Sequence, residues 1–513
     1  MGSSLIGANG RLVCLVAIWC VTTVGQAVQP PSSADGVPVS DEFREMKNLL
    51  DEQNGFAAAS DGPVIDVPLT DTDNYHDVVK DALEEASGQS GATVRFPENA
   101  LIPVRPRRTG ARHIKMEGLR NCEVDLNGST IEFDQVSLGI LIDDCESLTI
   151  RNGTIVGAGR LASRAEFDKR RRCFVITDHD VPVEKLVTVG TVPAAGELYR
   201  EIFVNRGKDV QWRYDRGKHA FVYRGGPFPD WPDGQRVILQ HENNQGHAIK
   251  LDAEKRCRNI TLSELVLVNI PGMGIVGEVD EGLTIDRVAM LPHDDAVMAV
   301  ASDGIHVNHS GGGITISNCT IEFSGDDKVN LNSRFWMVEE VSGNRMIVGP
   351  VDRPGSISKW GDVGDDVVFS TDTFEPIGDR AWTLSMPTTE LSGKRHELLF
   401  TESVQAIQPG TLVVNRDRTS SGSVIRDNRF IGTRGSGVKM NASDALIEDN
   451  DFENCYSHAV VSQHASDLFW EGVFPHEITL RNNRAVGCGR HESKSKPNQD
   501  YYFEEGVESV TIE

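Results

Sequence analysis

The sequence predicts an all-β protein built as a right-handed parallel β-helix with two small β domains inserted between its coils. Short segments that alternate apolar and polar residues recur along the chain, and most of them end in Asn or Asp. Leu262 and Ile285, and likewise Ile425 and Ile447, occupy equivalent positions of a repeat of about 22 residues, which is one coil. The recurring segments are 148–152, 260–262, 283–286, 314–318, 424–428, 446–450 and 478–482.

The length and composition agree with a solenoid. A chain of 513 residues is long for one compact core, but a solenoid grows by stacking coils and avoids that limit. Its 49 glycines and 6% aromatic residues fit a chain rich in turns. The 51 Lys and Arg against 76 Asp and Glu give a net charge of −25, which argues against nucleic acid or an anionic membrane as a partner.

Residues 1–27 have the pattern of a secretory signal peptide. Arg11 precedes an apolar run at 12–24, and the small residues at 25–27 offer a cleavage site. We therefore expect a secreted or periplasmic protein in which residues 28–62 form a linker.

Seven of the nine cysteines lie beyond the predicted signal peptide. They form no Cys-x-x-Cys pair, which argues against a zinc site. Those at 122, 145 and 319 fall in or beside strand segments, where small buried thiols are expected. An odd number means that at least one stays free or pairs between chains. The seven are Cys122, Cys145, Cys173, Cys257, Cys319, Cys455 and Cys488.

A capping unit is expected before the first coils. Asp73 is predicted to cap a helix, and a turn at 88–91 then leads into a strand at 93–97. Together they would cover the exposed edge of the β-helix. The apolar residues of this helix recur at helical spacing and are Tyr75, Val78, Val79, Ala82 and Leu83.

Two stretches break the repeat and are interpreted as inserted β domains. The first is rich in Val, Arg, Tyr, Trp and Pro, and the second carries hairpin-like patterns soon after Asp327, so it is expected to wall the same site. The predicted units are the cap and first coils at 63–175, inserts at 176–245 and 334–415, central coils at 246–333 and final coils at 416–513. The chain ends on a segment that resembles the start of another coil, which suggests a truncated solenoid.

Asp303, Asp326 and Asp327 are the most informative residues. An Asp-Gly-Ile-His segment at 303–306 is followed about one coil later by Gly-Asp-Asp at 325–327. Neighbouring coils lie ~4.8 Å apart, so the three carboxylates are expected to share one surface patch. Glycoside hydrolysis needs one carboxyl group to protonate the leaving oxygen and another to activate water, at a separation of roughly 6.5–9.5 Å in inverting enzymes.

These motifs resemble two families of β-helical hydrolases. The polygalacturonases, glycoside hydrolase family 28, share the Asp-Gly and Gly-Asp-Asp pattern. The α-1,3-galactosidases, family 110, are more similar: they share the Asp-Gly-x-His segment, the Asp-Asp-x-x-Asn segment ending at Asn330, and the β insertion directly after it. Segments 434–438, 446–452 and 469–472 also resemble the C-terminal coils of family 110.

The chain departs from both families. Family 110 usually continues with Asn-x-His-Gly, whereas Asn330 is followed by Leu331, Asn332 and Ser333, which removes a His that could touch sugar. The Gly-His-Gly element of the polygalacturonases is absent, and only 437–439 resembles their Arg-Ile-Lys element.

The resemblance implies catalytic roles for the three aspartates. Asp303, Asp326 and Asp327 would form the catalytic group of an inverting mechanism, without a metal or other cofactor. Crowding of like charges is expected to raise the pKa of at least one of them. By analogy with the polygalacturonases, Asp326 is assigned as the acid, with Asp303 and Asp327 holding the water.

Further residues are predicted to bind substrate. Strand alternation places His306 away from both Asp303 and His309, unless a bulge intervenes, yet His306 remains a candidate contact and His309 a weaker one. The six candidates in the predicted substrate site are His306, Asn330, Arg434, Lys439, Trp470 and Glu471.

Several of these assignments have structural alternatives. Asn330 either contacts a sugar hydroxyl or joins an Asn ladder along the solenoid. Arg434 and Lys439 either bind hydroxyls or a sulfate, or are surface cations. Trp470 is assigned to sugar stacking, with Glu471 as its polar partner, and Trp336 to packing of the second insert.

The leading hypothesis is a secreted, metal-independent, inverting exo-glycosidase that acts on terminal α-linked galactose or a similar neutral sugar. The alternatives are a polygalacturonase-like endo-hydrolase, and a polysaccharide lyase with a cation and an Arg or Lys base. A non-catalytic β-helical glycan-binding protein is a third alternative. In every case the partner is a glycan, and the oligomeric state is left open.

Overall fold

The computed structural model shows a right-handed parallel β-helix, as the sequence predicts, with the handedness usual for parallel crossover connections. The predicted signal peptide and residues 28–61 of the linker lie outside the described residues. The structure describes residues 62–70, 72–179, 185–191, 202–204, 212–225, 230–242, 245–251, 257–279, 281–293, 296–351, 360–378, 380–463, 470–471, 475–490, 499–504 and 507–513.

The strands of successive coils form three faces. Glu146–Val156 and Arg258–Val268 run through the first two faces and join them into a sheet of 18 described strands. The first face also contains Val64–Asp66, Thr93–Arg95, Glu123–Asp125, Glu281–Asp286, Ile314–Ser317, Val424–Arg426, Ala445–Glu448, His476–Arg481 and Glu508–Ile512. The second contains Leu101–Val104, Thr130–Phe133, Ala289–Leu291, Thr320–Ser324, Arg429–Thr433, Asp451–Cys455 and Arg484–Val486.

The third face is a separate sheet of nine described strands. Its strands are Ile114–Glu117, Ile140–Asp143, Ile249–Leu251, Ile275–Gly277, Ile305–Asn308, Val329–Asn332, Val438–Met440, Val460–Ser462 and Tyr501–Phe503. All of its pairings are parallel and in register from one coil to the next, so side chains at equivalent positions stack along the solenoid.

The inward positions of each coil hold the core. One column of buried, in-register aliphatic residues crosses seven coils of the first face and consists of Ile150, Leu262, Ile285, Ile316, Ile425, Ile447 and Leu480. At the turn after this column, Asn428, Asn450 and Asn483 form a ladder in which each side-chain amide donates to the next coil or to a buried carbonyl. The ladder satisfies polar groups at buried bends of the chain.

The N-terminal cap is a helix from His76 to Ser87, whose residues Val79, Ala82, Leu83 and Ala86 are buried against the first coils. The prediction that Asp73 caps it is wrong. The helix starts at His76, whose backbone amide donates to the Asn74 side chain, while Asp73 pairs with Arg105. Tyr75, the residue before the helix, turns into the core and donates its hydroxyl to the Thr70 carbonyl.

The first insert is an antiparallel sheet that begins earlier than the predicted boundary at 176. Ala162–Asp168 pairs along its length with Gln235–Gln240, so the chain leaves the solenoid soon after Val156. The extended pattern of 162–168 is also that of a solenoid strand, and only its antiparallel pairing assigns it to the insert. The other strands are Cys173–Ile176, Thr188–Thr191, Ile202–Val204, Trp212–Asp215 and Ala220–Tyr223.

The second insert is also an antiparallel sheet, and all of its described strands lie inside the predicted range 334–415. Its first and last strands are neighbours, with Trp336 opposite Val413. The strands are Trp336–Ser342, Arg345–Pro350, Asp366–Ser370, Trp382–Thr383, Thr389–Leu391, Arg395–Leu399 and Leu412–Asn415, followed by a short 3-10 helix at Arg416–Arg418. Within the described part of the chain, no helix is both long and apolar enough to span a membrane.

Candidate active site

The candidate site is built from the turns that lead from the second face to the third in three consecutive coils. These site turns are 302–304, 325–328 and 434–437. The backbone locks them together, because Gly304 N donates to the Asp327 carbonyl (3.0 Å) and Lys328 N to the Ser436 carbonyl (2.9 Å). Asp303, Asp326 and Asp327 therefore meet at one edge of the solenoid, as the spacing of the two motifs predicts.

The three carboxylates lie close together. Each presents one oxygen within 4.8 Å of the others, which is tighter than the roughly 6.5–9.5 Å expected between the carboxyl groups of an inverting pair. Two oxygens at this distance can both accept hydrogen bonds from one water, whose two donated bonds of about 2.8 Å reach acceptors about 4.5 Å apart. The cluster can thus hold a water between two carboxylates, which leaves the third carboxyl group available to protonate a leaving oxygen.

Each carboxylate has a different partner. Asp303 accepts a hydrogen bond from His306 Nδ1 (2.6 Å), Asp326 pairs with Arg434 (2.5 Å), and Asp327 accepts from the Ser436 backbone amide (2.6 Å). The side chain of Asp303 is 7% exposed, whereas that of Asp326 is 40% exposed. Asp303 therefore lies at the floor of the cluster and Asp326 at its mouth.

The cluster holds a proton near neutral pH. Burial, together with the charges of Asp326 and Asp303, raises the pKa of Asp327 to about 7. Burial also raises the pKa of Asp303, although the hydrogen bond from His306 opposes this shift. Since interacting carboxylates titrate as a group, the proton belongs to the cluster as a whole. Crowding of the three aspartates predicts a raised pKa, and for Asp327 burial contributes more to it than the charge of either neighbouring aspartate does.

A hydrogen-bonded chain runs from Asp303 to Asn330. His306 Nδ1 contacts Asp303, His306 Nε2 lies 3.4 Å from Asn332 Nδ2, and the same Asn332 amide donates to Asn330 Oδ1 (2.8 Å). Burial lowers the pKa of His306, but the bond to Asp303 and its charge outweigh burial and raise the pKa overall. The prediction that His306 faces away from Asp303 is wrong, because Asp303 precedes the strand Ile305–Asn308 and strand alternation does not govern it.

Asn330 is buried on the third face, in register with His306 on one side and Lys439 on the other. It is not part of the Asn428 ladder, which lies at the bend after the first face. The structure thus brings Asn330 into the candidate site, and a contact with sugar stays a prediction.

Lys439 and Glu471 form a buried ion pair beside the cluster. Lys439 Nζ lies 2.5 Å from Glu471 Oε2, and both side chains are less than a tenth exposed. Burial raises the pKa of Glu471, but Lys439 and His306 lower it more, to about 2. Burial likewise lowers the pKa of Lys439, but Glu471 and Asp327 raise it overall. Lys439 is therefore a cation inside the site and not a surface cation.

Arg434 links the site to the first insert. Besides its pair with Asp326, its side chain lies 3.4 Å from Thr188 Oγ1, and Gln240 of the same insert donates to the Ala301 carbonyl just before the first site turn. The side chain of Arg434 is 10% exposed, so it too is not a surface cation. The first insert therefore contacts the site, in addition to the second insert that the sequence predicts as its wall.

The aromatic candidates point towards the second insert. Trp336 is buried in the core of that domain, as predicted. Trp470 is half-buried, with its ring 6.1 Å from that of Phe374, and its carbonyl accepts from Phe335 N. This side chain packs on the insert, and sugar stacking stays a prediction.

His309 is buried, and its Nε2 lies 2.9 Å from the Trp360 carbonyl of the second insert. Burial lowers its pKa to about 3, so it is neutral. His309 therefore attaches the insert to the coil, and its role as a weaker candidate substrate contact stays a prediction.

Two residues of the site, Asn332 and Gly435, are not among the candidates that the sequence predicts. Asn332 connects His306 to Asn330. A side chain on Gly435 would place its Cβ 2.5 Å from both the backbone nitrogen and Oδ1 of Asp327. Gly435 appeared only within a resembling segment, and its close approach to Asp327 depends on the stacking of two coils.

The same three carboxylates have the spacing of a possible cation site, since hard divalent ions prefer oxygen ligands. Asp303, Asp326 and Asp327 would be the ligands. One oxygen of each already accepts from His306, Arg434 or Ser436, and the raised pKa of Asp327 favours a proton there. Metal independence stays a prediction that a chelator can test.

Comparison with known proteins points to the family that the motifs resemble. No family model matches the chain. α-1,3-Galactosidase A of Bacteroides fragilis strain YCH46 is 35% identical over 247 residues, which cover 45% of this chain and 39% of that protein. α-1,3-Galactosidase A of Shewanella woodyi is 20% identical over 286 residues, covering 53% of this chain and 44% of that protein.

The chain is similar to the α-1,3-galactosidases. The resemblance that the motifs predict is thereby confirmed, although the chain spans less than half the length of the two relatives named above. α-1,3-Galactosidase B of Parabacteroides distasonis is 24% identical over 44% of this chain and 39% of its own length. Among solved structures, a family 28 exopolygalacturonase of Yersinia enterocolitica matches at a TM-score of 0.35 with 10% identity, covering 88% of this chain and 65% of that protein.

Proposed function

We propose that the protein is a secreted or periplasmic glycoside hydrolase that releases terminal α-linked galactose from glycans with inversion of configuration. The observation that carries this proposal is the convergence of Asp303, Asp326 and Asp327 at one edge of the β-helix. The similarity to α-1,3-galactosidases supports galactose as the sugar. The predicted signal peptide supports secretion.

The three aspartates have different catalytic roles, which we assign from their positions in the cluster. Asp326 lies at the mouth, where a leaving-group oxygen arrives, and serves as the acid that protonates it. Asp303 lies buried beneath it, and Asp303 and Asp327 hold the water that attacks the anomeric carbon. The raised pKa of Asp327, about 7, keeps a proton in the cluster up to near neutral pH, so a proton is available for the leaving group while an ionised carboxylate can accept one from water.

The neighbouring groups position the sugar. Asn330 and the Lys439–Glu471 pair offer donors and acceptors to sugar hydroxyls on the third face. The ion pair also keeps Lys439 charged, which disfavours its use as the base of a lyase. Contacts of both inserts beside the cluster support exo action, because walls on two sides leave room for a chain end more readily than for a continuous polymer.

The first experiment follows the anomer of the released sugar by NMR on aryl α-glycosides and α-1,3-linked galactosides. Initial release of β-galactose supports an inverting α-galactosidase, whereas initial α-galactose contradicts inversion. Release of internal fragments from long polyuronides in place of single sugars would support the endo-hydrolase alternative. Activity that survives a chelator supports the metal-independent mechanism.

A second experiment separates the roles of the aspartates. Asp326→Asn should keep most of its activity on an aryl galactoside with a good leaving group and lose it on an α-1,3-linked galactoside, because only the poor leaving group needs the acid. Asp327→Asn should lose activity on both substrates. The reverse pattern would exchange the two roles.

A further inference from the structure

Cys455 and Cys488 face one another on adjacent coils of the second face. Cys455 ends the strand Asp451–Cys455, and Glu453 is in register with Val486 of the next coil. The register continues beyond that strand, since Gly489 N donates to the Cys455 carbonyl (3.2 Å). Cys455 is therefore opposite Cys488 across one coil spacing, and both side chains are buried.

This arrangement meets the geometric requirement for a disulfide. Coils are ~4.8 Å apart, and disulfides span Cα separations of about 4.4–6.8 Å. The two thiols also form a hydrogen bond with one another, which raises the pKa of Cys455 and lowers that of Cys488. Cys488 is thus the thiol that ionises more readily, and the thiolate is the nucleophile in disulfide formation.

We propose that Cys455 and Cys488 form a disulfide bond in the mature protein. The Cys488 thiolate attacks a disulfide oxidant, such as oxidised glutathione or an oxidoreductase with a Cys-x-x-Cys disulfide, and forms a mixed disulfide. Cys455 then attacks that bond through its own thiolate. The S–S bond between Cys455 and Cys488 forms as the S–S bond of the oxidant breaks, and the oxidant accepts two electrons and the two thiol protons to become a dithiol or two thiols. The proposed secretion supplies the oxidising compartment, while glycosidase activity is not required.

The bond would brace the coil behind the catalytic aspartates. Cys455 is in register with Thr433 of the preceding coil, and the Thr433 hydroxyl contacts both Ser324 and the Asp326 carbonyl. Beyond Cys488 only the last coils follow in the described chain, and terminal repeats of a solenoid open most easily. The disulfide would therefore hold the coil that supports Asp326 against opening from that end.

A second neighbouring pair provides an internal comparison. Cys145 and Cys257 also lie on adjacent coils, because Arg258 N donates to the Cys145 carbonyl (3.0 Å). Their thiols donate to the carbonyls of Asp143 (3.3 Å) and Ile142 (3.5 Å), and the Cys488 thiol likewise donates to the Val486 carbonyl (3.7 Å). A peptide map reads out both pairs under the same conditions.

The test is a peptide map of the intact chain produced in a bacterial periplasm and equilibrated with oxidised glutathione. Free thiols are blocked in denaturant before proteolysis without reductant. The expected product is one linked pair of peptides containing Cys455 and Cys488, lighter by two hydrogen atoms than their sum. Blocked thiols at both positions, or linkage of either to another cysteine, would overturn the proposal.

Thermal unfolding provides a second readout. A reductant should lower the midpoint of the wild-type protein and of Cys319→Ser, a matched control that removes a buried thiol elsewhere on the solenoid. It should not shift the midpoint of Cys455→Ser. Reductant sensitivity that persists in Cys455→Ser would contradict the assignment, and the wild-type peptide map remains decisive if that variant does not fold.

Discussion

Replacing Gly435 by Ala should displace Asp327 and lower activity while the protein stays folded. A Cβ at this position would lie 2.5 Å from Asp327 N and Oδ1, about 0.9 Å short of the 3.4 Å of ordinary contact. The obstruction includes backbone, so Asp327 must move by several tenths of an ångström. A misplacement of ~1 Å at a reacting group costs about 100-fold in rate, or about 2.7 kcal/mol of barrier.

The assay is kcat/KM on an aryl α-galactoside, with circular dichroism and the unfolding midpoint as checks on the fold. Gly225→Ala is the matched control, because its Cβ would meet no heavy atom within 4 Å. Gly225→Ala should keep wild-type activity, and Gly435→Ala should lose it by about 100-fold while remaining folded. Activity within threefold of wild type in folded Gly435→Ala would refute the argument that this approach sets the position of Asp327.

Three further predictions concern ionisable groups of the site and the interior. Glu471→Gln should lower the free energy of unfolding by about 3 kcal/mol at pH 7, measured with urea. Because the pKa of Glu471 is lowered from 4.5 to about 2, this difference should shrink as the pH falls from 4.5 towards 2, and a constant difference would contradict the pairing with Lys439. Burial lowers the pKa of Lys328 from 10.5 to about 7, so the destabilisation of the fold by this lysine grows as the pH falls from 10.5 to 7. Lys328→Met should therefore raise the free energy of unfolding over that of the wild type by about 2–3 kcal/mol more at pH 6 than at pH 9. An equal increase at both pH values would refute this. The pKa of Asp327 near 7 predicts that kcat/KM falls as the pH rises through about 7 and the cluster loses its proton; a rate that is flat from pH 6 to 9 would contradict this.

The solenoid and the catalytic trio were predictable because both rest on repetition. Alternation in segments such as 283–286 and 446–450 shows which residues face inward, and the coil length brings Asp303 next to Asp327. The face of His306 was predicted wrongly because alternation was extended to Asp303, which lies in the turn before the strand. The pattern of a strand carries no information about the turn that precedes it.

Contacts between distant segments were the part that sequence could not supply. The Thr188 contact with Arg434 joins residues 246 positions apart, and no local pattern marks either partner for the other. The start of the first insert was missed for the same reason, since Ala162–Asp168 resembles any other strand until Gln235–Gln240 pairs with it. Asn332 carried a weak signal, because it replaces part of the family 110 pattern after Asn330.

The second insert changes the order in which the protein can fold. Coils with no insert between them dock segments that are close together in sequence, but Ser436 must reach Asp327 across 109 residues. Closing so long a loop is slow and costs chain entropy unless an intervening structure first brings its ends together. The pairing of Trp336 with Val413 does this, because it joins the first and last strands of the insert. Folding of the insert thus brings the two flanking coils together. A destabilising substitution in the core of the insert should therefore delay formation of the aspartate cluster, although it changes no residue of that cluster.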